Sequence, residues 1–338
     1  MDEADFEFAP GVRAGFVGPR SIVDAFRREY APLEVQGRQG RTLEVRFGRD
    51  PVPATTGAAV GFRGRHKSVA WRISVSSAAA ADLSVSVDLS GLPRGFARSL
   101  VQGYVVEPML SVVSAAQGLV LVPSAGVAAE GGLILILGRS GAGKSTLMAR
   151  LAAAGHDVLG DDQLFIDDAS RCSAFPRRLR FYPDIETTAP EAFSRLPADL
   201  RRRLRLRGLV AAATRGYVRP SMGVDRSAIG GRWVPGPLPI GRIVLLERGD
   251  HVGDVRGDPA TVADAAAWAA RLLREQRSRL DVAGDPAWRA RLATTTAREQ
   301  EILATAFAGP SIERLLVPRD RPASEAVAAV AEALGFAI

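Results

Sequence analysis

The chain has 338 residues, of which 47% are hydrophobic and 24% charged, a balance that supports a sizeable core and excludes a disordered chain. No run of 18 apolar residues occurs, which excludes a helical membrane span, and the single cysteine, Cys172, excludes an internal disulfide. The net charge of +7 arises from scattered arginines without an aromatic stacking series or zinc-ligand spacing, so nucleic acid is not expected among the partners. The acidic start MDEADFEFAP lacks the basic and apolar regions of a signal peptide, and with the lone cysteine it leads to an expected cytoplasmic location.

Residues 1–117 read as a small α+β domain. A short helix is expected over 21–30. β-rich runs follow at 33–47, 68–75 and 83–89, and glycine and proline punctuate 48–64. A helix is expected over 98–116, with apolar residues recurring at Leu100, Tyr104, Val112 and Ala115 and with Pro108 as a point of kinking. This domain shows no catalytic constellation and reads as a docking or dimerisation module.

Residues 118–338 read as a second domain that carries the chemistry. Apolar runs at 119–122 and 133–137 have the composition of buried strands. The second run leads into Gly138-Arg139-Ser140-Gly141-Ala142-Gly143-Lys144-Ser145-Thr146, and a helix is expected over 144–154, closed by Gly155-His156. A strand at 157–159 ends at Gly160-Asp161-Asp162, and another covers 164–166. The arginine cluster at 201–207 falls in a helix and reads as a solvated or phosphate-facing surface. A strand at 243–246, helices at 261–277 and 288–307, a strand at 312–317 and a helix at 324–334 complete the domain.

The segment from Gly138 to Ser145 matches G-x-x-x-x-G-K-[ST] in its required setting, an apolar strand before and a helix after. Glycines let backbone N–H groups turn toward phosphate oxygens, and the helix N-terminus adds a positive dipole end. Residues 138 and 140–146 are therefore the expected nucleotide contacts, among them Ser140, Gly141, Ala142, Gly143 and Thr146. Lys144 would reach the β- and γ-phosphates of ATP, and Ser145 would ligate Mg²⁺. Lys67 and Lys144 are the only lysines among 44 basic residues, which suggests that Lys144 is kept for its chemistry. Asp161 and Asp162 follow a strand end, the position of a catalytic base and a metal partner in an open α/β sheet. His66, His156 and His251 are isolated, with no metal-ligand spacing, and Cys172 has no histidine partner.

The P-loop, followed at short spacing by Gly155-His156 and Gly160-Asp161-Asp162, resembles the catalytic core of HPr kinase/phosphorylase and related kinases. The resemblance covers residues 118–185. It implies an α/β fold, namely a P-loop kinase core with a mixed sheet flanked by helices and preceded by the small α+β domain. It also implies a core similar to phosphoenolpyruvate carboxykinase, in which Asp161 is the base and Asp162 the metal partner. Arg180-Phe181-Tyr182-Pro183-Asp184 is similar to a stretch of HPr-kinase-like enzymes that modify peptides, which implies a role for Arg180 in stabilising phosphoryl charge. The downstream Gly-rich signature with a metal-binding glutamate is not found, Glu186 and Asp184 being the acidic residues nearest to hand. The histidine common before the P-loop strand is also missing, the sequence there being Val122-Pro123-Ser124-Ala125-Gly126. These departures point to a diverged kinase rather than to the bifunctional HPr enzyme.

The expected activity is transfer of the ATP γ-phosphate to a hydroxyl, a serine of a protein or peptide or a small-molecule acceptor, with Mg²⁺ as cofactor. The resemblance also admits a homo-oligomer; no membrane partner is expected. Two other classes stand beside the kinase: an NTPase used for motion or transport, and a non-catalytic nucleotide-binding regulatory module. An ABC-type ATPase would carry an LSGGQ-like run and an apolar strand ending in Asp-Glu, and neither is found.

Overall fold

The computed structural model of the chain describes residues 1–48, 60–76, 82–218, 220–251, 253–280 and 285–338, so most of the glycine- and proline-punctuated stretch at 48–64 lies outside it. The described residues form a mixed α/β protein with mixed sheets flanked by helices. Two compact units emerge: Met1–Val122 with Phe165–Asp168 and Ala270–Thr305, and Pro123–Leu164 with Ala169–Ala269 and Ala306–Ile338. A boundary after residue 117 places residues 270–305 with the C-terminal domain, whereas their contacts group them with the N-terminal unit. Among the described residues no helix is long and apolar enough to cross a membrane.

The first unit is built on a seven-stranded sheet in the order Glu34–Val35, Asp2–Ala9, Val12–Gly18, Leu43–Phe47, Leu83–Gly91, Val69–Ser76, Val60–His66. Val12–Gly18, Leu43–Phe47 and Leu83–Gly91 pair in parallel, and antiparallel hairpins flank them. The first strand alternates, with Ala4, Phe6 and Phe8 on its apolar face and Glu3, Asp5 and Glu7 on the other. Asp5 is 9% exposed and is accommodated by Arg41, whose Nε lies 2.6 Å from its carboxylate. The helix Arg20–Tyr30 buries Val23, Phe26 and Tyr30, one stripe at helical spacing. Its rings join those of Phe6, Phe16 and Phe47, with Phe16 and Phe26 stacked at 4.4 Å.

The helix expected over 98–116 runs as Arg94–Val101 and Glu107–Ala116, joined by a π turn at Gln102–Val106. Pro108 accounts for the wider turn. It has no N–H to donate, and its ring crowds the carbonyl one turn back. In the same unit the buried carboxylate of Glu299 accepts two hydrogen bonds from Arg277, at 2.9 and 2.5 Å, and one from the Ser111 hydroxyl at 3.3 Å. Burial nevertheless holds the Glu299 pKa above its ordinary value, with Arg277 pulling the other way.

The second unit centres on a sheet in the order Arg232–Trp233, Asp157–Gly160, Ser124–Ala129, Gly132–Gly138, Leu238–Gly249, Ser311–Pro318, Arg256–Pro259. Ser124–Ala129 is antiparallel to both neighbours, so Gly132–Gly138 and Asp157–Gly160 point the same way and end at the same edge. Leu133–Leu137 are buried, as expected for an apolar strand in a sheet interior. The helix Lys144–Ala154 covers one face through Leu147, Met148 and Leu151, in a core with Ile134, Ile136, Val158 and Val244. Gly155, at φ +96°, closes this helix, and the His156 amide donates to the Leu151 carbonyl.

Candidate functional site

The strand Gly132–Gly138 delivers its last residue to a compact turn, in which the Ala142 amide donates to the Arg139 carbonyl at 3.1 Å. Gly138 is buried, and a Cβ there would stand 3.0 Å from the Leu246 carbonyl oxygen, so the residue type follows from close strand packing. Gly141 and Gly143 have φ of +85° and +100°, backbone that a side chain would strain. Gly143 caps the helix Lys144–Ala154 without a side-chain hydrogen bond to the first turn. That helix end can therefore receive an anion. Arg139 and Ser140 are exposed, while Ala142, Ser145 and Thr146 are half-buried around the same turn.

Lys144 is 8% exposed, and its Nζ donates to the carbonyls of Gly138 and Arg139, the latter at 3.2 Å. Burial lowers its pKa, and the charges of Asp162 and Asp161 act in the opposite direction. The ammonium thus lies in the field of both carboxylates, although the two segments come from different strands. The Ser145 hydroxyl donates to the Asp161 backbone carbonyl at 3.4 Å, and the Ser124 amide to the Asp162 carbonyl at 2.9 Å.

The two aspartates occupy different environments. Asp161 is 4% exposed, and its pKa is pushed up to about 6, first by burial and then by the Asp162 charge, with Arg226, Arg177 and Ser145 pulling down. The side chain of Asp162 is 47% exposed and pairs with Arg177 Nη1 at 2.5 Å. One carboxylate is therefore buried with a raised pKa, and its neighbour is half-exposed and paired with a guanidinium.

Arg177 and Arg226 are the residues that sequence reasoning missed. Arg226 begins the short 3₁₀ segment Arg226–Ile229 and donates to the carbonyls of Arg177 at 3.2 Å, Phe175 at 3.3 Å and Leu159 at 3.4 Å. Its guanidinium stacks 4.5 Å above the Trp233 ring. It ties the strand that leads into Asp161 to the segment that carries Arg177. In an arginine-rich chain no spacing sets these two arginines apart from the others. Arg180 lies on the strand Leu179–Phe181, opposite Gly223. The guanidiniums that pull on Asp161 are Arg226 and Arg177.

Of the remaining candidates, His156 has a structural role. Its Nε2 lies 3.1 Å from the Ala337 carbonyl and its ring meets Phe336 edge-on at 4.8 Å. Cys172 is fully buried in the strand Arg171–Ala174. Glu186 pairs with Arg205 at 2.6 Å. No protein-family model matches the chain, and no curated protein matches it.

Proposed function

We propose that the chain is an ATP-dependent kinase that transfers the γ-phosphoryl group to a hydroxyl, of a protein or peptide serine or of a small molecule. The observation that carries this reading is the meeting, at one sheet edge, of Lys144 and Ser145 with a buried carboxylate, Asp161, whose pKa of about 6 suits a general base at neutral pH. In this reading the second unit is a diverged core of the HPr kinase/phosphorylase type.

The residues fit the implied cofactors. A positive-φ glycine turn opens onto a helix N-terminus, and the Ser145 hydroxyl and Asp162 carboxylate are hard oxygen donors of the kind Mg²⁺ takes in ones and twos beside phosphate oxygens. Bound Mg²⁺ would offset the negative charge of the phosphates. Lys144 exchanges its two loop carbonyls for phosphate oxygens, a trade that returns a counter-charge to a desolvated ammonium. Asp162, now paired with Arg177, would be the carboxylate that holds the cation. Asp161 accepts the proton of the attacking hydroxyl, and Arg226 holds its strand in place. Arg180 is assigned to neutralise charge on the transferred group.

Incubation with γ-labelled ATP, Mg²⁺ and hydroxyl acceptors encoded beside the gene tests the reading. Stoichiometric label on an acceptor, abolished by excess chelator, is the expected result. Hydrolysis without transfer, or tight nucleotide binding without turnover, overturns it.

A further inference from the structure

The helix Ala198–Ala213 is not explained by its own packing. It is 16 residues long, and Leu204 is its one buried residue. Helices of this length normally gain their stability from an apolar face laid on a core. Here Leu206, Leu209 and Val210, spaced as one stripe, are 53%, 68% and 47% exposed. Tyr217 and Val218 extend the exposed apolar surface just beyond the helix, at 69% and 38%.

The same helix carries Arg201, Arg202, Arg203, Arg205 and Arg207. Asp199 approaches Arg203 at 3.8 Å, and Glu186 holds Arg205 at 2.6 Å, so the cations outnumber these two carboxylates. Ala198, Arg201, Arg202, Arg205, Leu206 and Leu209 recur at helical spacing and so share one face of this helix, arginines and leucines side by side. Guanidinium forks recognise carboxylates in pairs, and exposed leucines gain by being covered.

We propose that this helix face docks an acidic, leucine-bearing segment of a protein partner. Charge complementarity selects that occupant. A second copy meeting this face through the same helix would set arginine against arginine. An anionic bilayer could meet the same face, and sedimentation with phosphatidylserine vesicles distinguishes it from a protein segment. Binding there needs neither nucleotide nor transfer, so the inference goes beyond the kinase reading and survives its failure.

The test uses the full chain without nucleotide and fluorescein-labelled peptides of roughly four helical turns, built from glutamate and leucine. Fluorescence anisotropy is expected to show saturable binding that weakens about tenfold or more in each of Arg202→Glu and Leu209→Ser. Binding should also weaken as salt is raised to about 0.5 M. Both side chains are exposed, so circular dichroism should show both variants folded. No saturable binding, equal affinity for a lysine–leucine peptide, or variants that bind as the parent does would overturn the proposal. It is equally overturned if the peptide does not bind and Leu209→Ser instead abolishes sedimentation with phosphatidylserine vesicles, or disperses a dimer seen by light scattering.

Discussion

Asp161→Asn should stabilise the protein at pH 8 while disabling it. The carboxylate is 4% exposed, and its pKa is moved from the ordinary 3.8 up to about 6, chiefly by burial and then by Asp162. The folded chain thus holds this proton more tightly than the unfolded chain does. The associated stability is complete below 3.8, fades as pH rises, and is gone once pH has passed the folded value of about 6. A displacement of this size corresponds to roughly 3 kcal/mol at neutral pH and above. Asparagine keeps the shape and can still meet the Ser145 hydroxyl but carries no charge, so the variant lacks that slope. Melting temperatures should be recorded for both proteins between about pH 4 and pH 8, in chelator so that no cation shares the site. At about 2–4 °C per kcal/mol for a domain of this size, the variant should melt roughly 6–12 °C above the parent at the alkaline end and converge with it at the acid end. Phosphoryl transfer by the variant should fall roughly 10²–10⁴-fold, the usual worth of a general base. Parallel pH profiles, or a variant less stable than the parent at pH 8, would refute the account of Asp161 as a charge buried for its chemistry.

Three further outcomes follow from other contacts. Lys144→Ala should leave the circular dichroism spectrum unchanged and abolish transfer, because Nζ anchors only to carbonyls of its own loop; wild-type turnover would remove the P-loop from the mechanism. Arg226→Met takes the donor from three backbone carbonyls and the cation from Trp233, and should lower the denaturant-derived stability by about 3 kcal/mol. Transfer should fall with it, whereas a variant with the parent's midpoint and rate would show that Arg226 does not hold the Asp161 strand. Glu299→Gln, in the first unit, leaves Arg277 buried without its counter-charge and should cost about 3–5 kcal/mol in a urea melt at pH 7; a loss below about 1 kcal/mol would mean that water reaches the pair.

Most helices could be read from the chain because their signals are local. The stripe of Val23, Phe26 and Tyr30, the glycine after Ala154 and the apolar spacing before Leu334 each lie within a few turns of the element they define. Asp2–Ala9 alternates Ala4, Phe6 and Phe8 with Glu3, Asp5 and Glu7 and could have been read as a strand, but the burial of Asp5 against Arg41 depends on a partner distant in sequence. The strands Val12–Gly18 and Ser124–Ala129 were not legible. The last, Ser-Ala-Gly-Val-Ala-Ala, is apolar but small and has no alternation to mark it. Arg177 and Arg226 were invisible for the same reason: their importance lies in the partners they meet, not in their neighbours along the chain.

By itself the sequence determined the turn after Leu137, since its glycines, lysine and serine need only the strand before and the helix after to take up their places. It also determined that a carboxylate pair would end the next strand. The tertiary structure decided how those parts work together. Inserting the antiparallel strand Ser124–Ala129 between two parallel ones brings both strand ends to one edge. The two adjacent aspartates differ because one is buried, within the field of Arg226, and the other pairs with Arg177 and is half-exposed. Burial and long-range charge set that difference, and neither is a property of residues taken in order along the chain.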